Sequence, residues 1–168
     1  SAADLKRLFN CIQQLISEQK ILAYHDRSDG GFIVTALEMA FAGNVGIDLQ
    51  LNSLPANVLA SLFNEEPGVV LQIRSHQYAE VMQAVEMAGL GDYLHVVGKL
   101  NPTQDVSIMR GAELWLSEPL HELKDAWWST SYAMQRLRDN PACANEEHDV
   151  ILDVGDPGIS PVLSFDPQ

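Results

Sequence analysis

"AYHDRSDGGFIVTALEMAFAG", residues 23–43, sets His25, Asp26, Ser28 and Asp29 directly ahead of the pair Gly30-Gly31 and an apolar run. In that run Phe32, Ile33, Ala36, Leu37 and Ala40 recur at spacings of three and four. The spacing predicts a helix over 31–42, with Gly43 as its stop and Asp29 as its N-cap. The polar loop therefore stands at the mouth of a helix, where unsatisfied N–H groups and a partial positive charge are presented.

Working outward, residues 4–20 place Leu5, Leu8, Phe9, Ile12, Leu15 and Ile16 at helical spacing, one stripe meant for burial. Residues 21–24 form a short apolar bridge into the loop. Downstream, "VGIDLQL" (45–51) alternates apolar and polar positions as a half-buried strand does. A short helix follows, broken near Asn64 and Pro67, and then a strand over 69–74. Residues 75–90 read as a helix capped by Ser75, with Tyr78, Val81, Met82 and Val85 turned inward. A third strand over 94–100 and a hairpin turning near Arg110-Gly111 come next.

A long helix over 119–139 is expected to start behind a Ser117 cap and Pro119, and to end at Asn140-Pro141. Its stripe is Leu120, Leu123, Trp127, Thr130, Met134 and Leu137. Beyond Arg138 there is no Lys or Arg, while Glu146, Glu147, Asp149, Asp153, Asp156 and Asp166 accumulate among prolines and glycines. That composition reads as an extended acidic linker. The element order fits an α/β (α+β) fold, a mixed, largely antiparallel sheet covered by helices. Residues 1–140 form the domain and 141–168 the linker.

Charge and composition narrow the function. A 46% hydrophobic, 20% charged chain of 168 residues can bury a core without disulfides or metals. Its net charge of −13 opposes binding to nucleic acid or to anionic membranes. No apolar run approaches the roughly 20 residues of a membrane helix, and no signal peptide opens the chain. Cys11 and Cys143 stand apart, in no metal or redox spacing, and read as small apolar fillers in a reducing, cytoplasmic compartment. Without an initiator Met the chain reads as a fragment, in which residues 1–3 are native or a cloning remnant.

The loop admits two readings. Asp-Gly turns and capping aspartates are ordinary, and a capped turn would account for the pattern. Alternatively, magnesium takes carboxylate and phosphate oxygens, and glycines let a phosphate approach the backbone. Asp26 is then the metal ligand, Ser28 the contact to phosphate or metal-bound water, and His25 a donor that orients Asp26. No Walker loop is present. "FNEEP" (63–67) pairs two carboxylates, Glu65 and Glu66, at a helix end where solvated Glu is common. His76, His95, His121 and His148 lack metal-ligand spacing, and Trp127-Trp128 reads as core plus an interface edge. No Ser-His-Asp or Cys-His arrangement can be argued, and no residue is assigned as catalytic.

"ILAYHDRSDGGFIVTALEMAFAGNVGI", "LFNEEPGVVLQIR", "WWSTSYAMQRLRDNPACANEE" and the closing "DPGISPVLSFDP" together resemble formylglycinamide ribonucleotide amidotransferase (phosphoribosylformylglycinamidine synthase) of the large single-chain type. The resemblance covers nearly the whole chain in order. It implies a C-terminal subdomain like that of aminoimidazole ribonucleotide synthetase, from the second synthetase half, plus the linker to a glutaminase domain. The family's reaction joins nitrogen from glutamine to formylglycinamide ribonucleotide at the expense of ATP, in purine biosynthesis. The partners implied are the remaining synthetase and glutaminase domains of the same polypeptide and a small-molecule nucleotide. Carried over residue by residue, the aspartate of the HD-x-S-DGG loop that binds Mg2+ is Asp26, and the residue that touches ATP or ADP is Ser28. The resemblance also implies an auxiliary, mainly structural nucleotide site, so Asp26 is not placed in the chemical step. Two other readings stand beside it: a stand-alone synthetase or kinase subdomain, and a non-catalytic interaction domain whose loop is only a cap.

Overall fold

The computed structural model describes residues 1–153, 155 and 162–165. The chain divides into two compact units, Ser1–Leu120 and His121–Gln168.

The first unit opens with α1 (Ala2–Ser17), whose first turn is closed by a reciprocal Ser1–Asp4 capping box. Cys11, Ile12 and Leu15 are its buried residues, whereas Leu5, Phe9 and Ile16 of the expected buried stripe are exposed. Cys11 and Leu15 join Val81, Val85 and Leu90 in one cluster, so the true stripe of α1 is the one facing α4 (Tyr78–Met87). Residues 21–24, expected as a bridge, contribute instead to a strand, β1 (Ala23–Asp26). It pairs antiparallel with β3 (Val69–Gln72), in the register Asp26↔Val69 and Tyr24↔Leu71.

Between these strands lie α2 (Gly31–Gly43), β2 (Gly46–Gln50) and α3 (Val58–Phe63). The C-cap of α2 is Asn44 in the left-handed region, one residue past the expected Gly43. After α4 come β4 (Gly98–Asn101), β5 (Asp105–Arg110) and β6 (Glu113–Pro119). The four-stranded sheet has the order β4-β2-β5-β6, antiparallel except for the β2–β5 pair. Ile47, Leu49, Val106 and Ile108 are buried in register across that central pair. The alternate positions carry a polar ladder in which Asn101 Nδ2 and Ser107 Oγ both donate to Asp48 Oδ1, at 2.9 and 3.0 Å. The expected fold class holds: mixed α/β, with sheets covered by helices. The β5–β6 hairpin turns at Gly111, φ +59°, as expected.

Three expected caps are corrected. Ser75 begins a 3-10 turn (Ser75–Gln77) rather than capping α4, and Tyr78, half-exposed, does not face the core. Ser117 lies inside β6, paired with Ser107, because the strand runs on to Pro119 before α5 (Leu120–Arg138) begins. The edge position of β6 tolerates the missing proline N–H. Asp29 is treated with the site.

In the second unit the segment expected to be extended begins as a helix, α6 (Pro141–Leu152). Asn140 Oδ1 accepts from Ala142 N at 2.9 Å and Pro141 occupies the first turn, so Asn-Pro starts one helix as well as following another. Side chains tie α6 to α5: Tyr132 Oη donates to Asn145 Oδ1 at 2.8 Å, and His148 stacks on Tyr132 with ring centroids 3.9 Å apart. The same imidazole's Nε2 lies 2.8 Å from Asp125 Oδ1. Trp127, Met134 and Leu137 of the expected α5 stripe are exposed. The prolines and glycines of residues 156–161 lie outside the described residues. Among the described residues no helix is long and apolar enough to cross a membrane.

Candidate functional site

The quoted loop leaves β1 at Asp26 and enters α2 at Gly31. Strand alternation sorts its first residues. Tyr24 and Asp26 point to the exposed side of the β1–β3 ribbon, and Ala23 and His25 to the more covered one. There His25 Nε2 sits 3.2 Å from Glu38 Oε2, and its Nδ1 lies 2.7 Å from the Asp26 carbonyl oxygen. The expectation that His25 orients the Asp26 carboxylate is therefore not met. The imidazole is held by α2 and by Asp26's own backbone.

Gly31 N donates to Ser28 O at 3.0 Å, closing a turn. Its third residue, Gly30, has φ +82° and ψ −1°, the values of a type II turn, which favours glycine. Gly31 is also at positive φ, +73°, and a Cβ there would lie 2.6 Å from the Phe63 carbonyl carbon. The Gly-Gly pair thus has two structural causes, a tight turn and the close approach of α3.

The residue at the N-cap of α2 is Gly30, with no side-chain cap of its own, so Asp29 is not the cap. A carboxylate distant in sequence takes that place. Gly30 N donates to Glu65 Oε1 at 2.9 Å. The two segments are knitted further, since Arg27 N donates to Gly68 O at 2.8 Å and Arg27 Nε to Glu66 O at 2.6 Å. Glu66 N in turn donates to Asn64 Oδ1 at 2.7 Å. "HDRSDGG" and "FNEEPG" form one unit in which the second stretch clamps the first. Sequence reading missed this because Glu65 looks like an ordinary solvated glutamate, and nothing local to either stretch announces a bond spanning 35 residues.

Asp26 and Glu65 both line a groove of about 430 Å³ walled by Phe9 and Ile12 of α1 and by Tyr24. Burial, and secondarily the Asp26 charge, raise the Tyr24 phenol above its ordinary pKa. Asp26, Ser28 and Asp29 are exposed, and among the described residues no hydrogen bond or ion pair takes up the Asp26 carboxylate. The loop sets two carboxylates, Asp26 and Asp29, against one cation, Arg27, whose Nε donates to the Glu66 carbonyl and which lines the same groove.

A hard divalent cation fits such a donor set, since magnesium takes one or two carboxylates and completes its shell with water and phosphate oxygens. Among the described residues no group of three or more His, Cys, Asp or Glu side chains converges on one point. What this chain presents is one open carboxylate, Asp26, with the Ser28 hydroxyl two residues on. Cys11 is buried against α4, as an apolar filler would be, whereas Cys143 is exposed on α6 and is not one.

Solved structures share the fold. Thermotoga maritima PurL complexed with ATP matches with a TM-score of 0.63 at 17% identity, over 70% of this chain and 21% of that one. PurLQS from Thermotoga maritima matches at 0.60 and 17%, over 68% and 20%. HypE of E. coli, a hydrogenase maturation protein, matches at 0.51 and 20%, over 67% and 38%. The chain thus spans about a fifth of the length of the PurL structures. The family described as AIR synthase related protein, C-terminal domain, matches residues 1–111, and by that match this chain belongs to the AIR synthase related family through its C-terminal domain.

Proposed function

We propose that this chain is part of an ATP-dependent, glutamine-using ligase of the large single-chain type, which converts formylglycinamide ribonucleotide to formylglycinamidine ribonucleotide in purine biosynthesis. Its contribution is a half-site for a magnesium nucleotide, with Asp26 as metal ligand and Ser28 as nucleotide contact. The observation that carries this reading is the open Asp26 carboxylate at the end of β1, with Ser28 beside a glycine-built entry to α2. Membership of the AIR synthase related family and fold likeness to PurL structures complexed with ATP, ADP and formylglycinamide ribonucleotide support it.

In this reading residues 1–140 are the synthetase subdomain. Residues 141–168 lead to a glutaminase domain and start with α6. The polypeptide works in the cytoplasm. Magnesium at Asp26 would offset the charge of the nucleotide's phosphates. The chain's own residues do the rest: Asp26 supplies a hard oxygen, Ser28 a hydroxyl, and the type II turn sets their spacing. The site is structural rather than catalytic, a tightly held nucleotide that stabilises the fold.

The test is to purify the full-length polypeptide that contains this chain. It should form formylglycinamidine ribonucleotide from the substrate, ATP and glutamine, and release nucleotide when denatured after desalting. A protein that acts only on another substrate class sinks the ligase reading. One that is active but carries and binds no nucleotide beyond that of its catalytic centre sinks the half-site.

A further inference from the structure

We propose that Glu65 is a positioning residue of this half-site: its carboxylate, by accepting from Gly30 N–H, holds the 26–31 loop in the conformation that presents Asp26 and Ser28 to a magnesium nucleotide. The inference rests on the half-site reading above and adds a residue from a different stretch of sequence.

Three observations carry it. Glu65 Oε1 is 2.9 Å from Gly30 N, the central amide of the turn that separates Ser28 from α2. Gly30 sits at φ +82° and has no side chain, so nothing of its own holds it there. A glycine at such a φ is free to leave it unless the surroundings fix it. Finally, Glu65 lines the same groove as Asp26, so the latch lies beside the ligand position rather than behind it.

The bond has an electrostatic consequence. A carboxylate already sits at the positive end of α2, so a bare phosphate approaching that helix end meets a negative charge. A nucleotide should therefore enter with a divalent cation at Asp26 and not as a free anion on the α2 amides. Glu65 would act in two ways, fixing the turn and steering the phosphate away from the helix end. The first needs only an acceptor oxygen and the second needs the charge, which separates Glu65→Gln from Glu65→Ala.

The experiment uses full-length protein stripped of nucleotide, with MgADP as probe. Hydrogen exchange of a peptide covering Gly30 and the MgADP dissociation constant are measured in wild type, Glu65→Ala and Glu65→Gln. In Glu65→Ala, exchange at Gly30 should rise and MgADP affinity should fall, each by about tenfold, the effect of losing one hydrogen bond to a charged group. Glu65→Gln, which keeps an acceptor, should stay within about threefold of wild type on both counts, while its affinity for ADP without magnesium should rise. Unchanged exchange in Glu65→Ala overturns the latch. Faster exchange with unchanged MgADP affinity reduces Glu65 to a tie within the fold and overturns the proposal. Loss of MgADP in Glu65→Gln with exchange still protected overturns it too, by making the charge a direct ligand. If wild type binds no MgADP beyond its catalytic centre, the half-site reading itself has failed, and this arm shows that separately.

Discussion

Gly30 and Glu65, 35 residues apart, are joined by a hydrogen bond of 2.9 Å that fixes where α2 begins. It makes the helix start a product of tertiary structure. The local cap expected at Asp29 is absent, and a remote carboxylate holds the N-cap amide of α2. Asp29→Ala should accordingly change stability by no more than about 0.5 kcal/mol, the range of an exposed position without a special role. Loss of a true cap would cost about 1 kcal/mol. Chemical denaturation of the 168-residue chain and its variant distinguishes these outcomes.

The glycine pair should respond unequally to alanine. At Gly31 a Cβ would meet the Phe63 backbone at 2.6 Å on top of a positive φ. Backbone cannot swing aside, so Gly31→Ala is expected to cost more than about 3 kcal/mol. At Gly30 a Cβ would meet the Val34 side chain, Cγ2 at 2.4 Å and Cβ at 2.9 Å, where rotation can relieve the first contact and only a small shift of α2 the second. Gly30→Ala is expected to cost about 1–2 kcal/mol for the left-handed region plus the cost of that shift, and less than Gly31→Ala. Melting curves of the two variants would show the order; equal losses would mean that α3 does not press on the loop.

Tyr24 offers a pH handle on the site. Burial is the larger cause of its raised pKa and the Asp26 charge the smaller. Asp26→Asn should therefore lower the phenol pKa only part of the way to its ordinary value, followed by absorbance titration. The sign for stability follows. The folded state holds the phenolic proton more tightly than the unfolded chain, so this contribution is complete below the unfolded pKa of about 10 and is lost as pH rises through the folded value. An Asp26→Asn variant whose phenol titrates as in wild type would show that the carboxylate does not sense Tyr24.

The two thiols should differ in the same way. Burial, with the Glu18 charge, raises the Cys11 thiol above its ordinary value, and its side chain is enclosed against α4. Cys143 is exposed on α6. Because the thiolate is the reactive form, alkylation of the native 168-residue chain should label Cys143 first and Cys11 only on unfolding. Rapid labelling of Cys11 in native buffer would contradict the packing of α1 on α4.

How far the sequence foretold the molecule depended on the range of the causes. The periodicity of α2, the hairpin at Gly111 and the alternation in β2 depend on residues a few positions apart, and all three are found. Half of the expected α1 stripe is buried, Ile12 and Leu15 with Leu8 packed beside them, whereas Leu5, Phe9 and Ile16 satisfy the same helical spacing and are exposed. Only the position of α4 chooses between them. Helix α6 was missed because its acidic residues suggested solvent, whereas Tyr132, Asn145 and His148 tie it to α5. At the site, Asp26 ends β1 and Ser28 lies in the turn before α2, which fixes their places in the loop and leaves their roles as proposals. The Glu65 latch was illegible, since it joins stretches brought together only by α3 and the β1–β3 ribbon.

If Asp26 holds magnesium for a nucleotide, as proposed, equilibrium binding of ADP to nucleotide-stripped full-length protein, with and without magnesium, will show it. Wild type should bind MgADP at a site additional to the catalytic one, and removing magnesium should abolish that site. Asp26→Asn should weaken MgADP there by at least about tenfold, because the amide offers no charge to the cation, while turnover changes less. The variant should also be destabilised when ligand stands at ~100 times the wild-type dissociation constant, by about 1.3 kcal/mol for a tenfold weakening and by about 2.7 kcal/mol if binding is lost. An Asp26→Asn protein that binds MgADP as wild type does, and melts with it at the same temperature, would contradict the account and leave the loop a turn latched by Glu65.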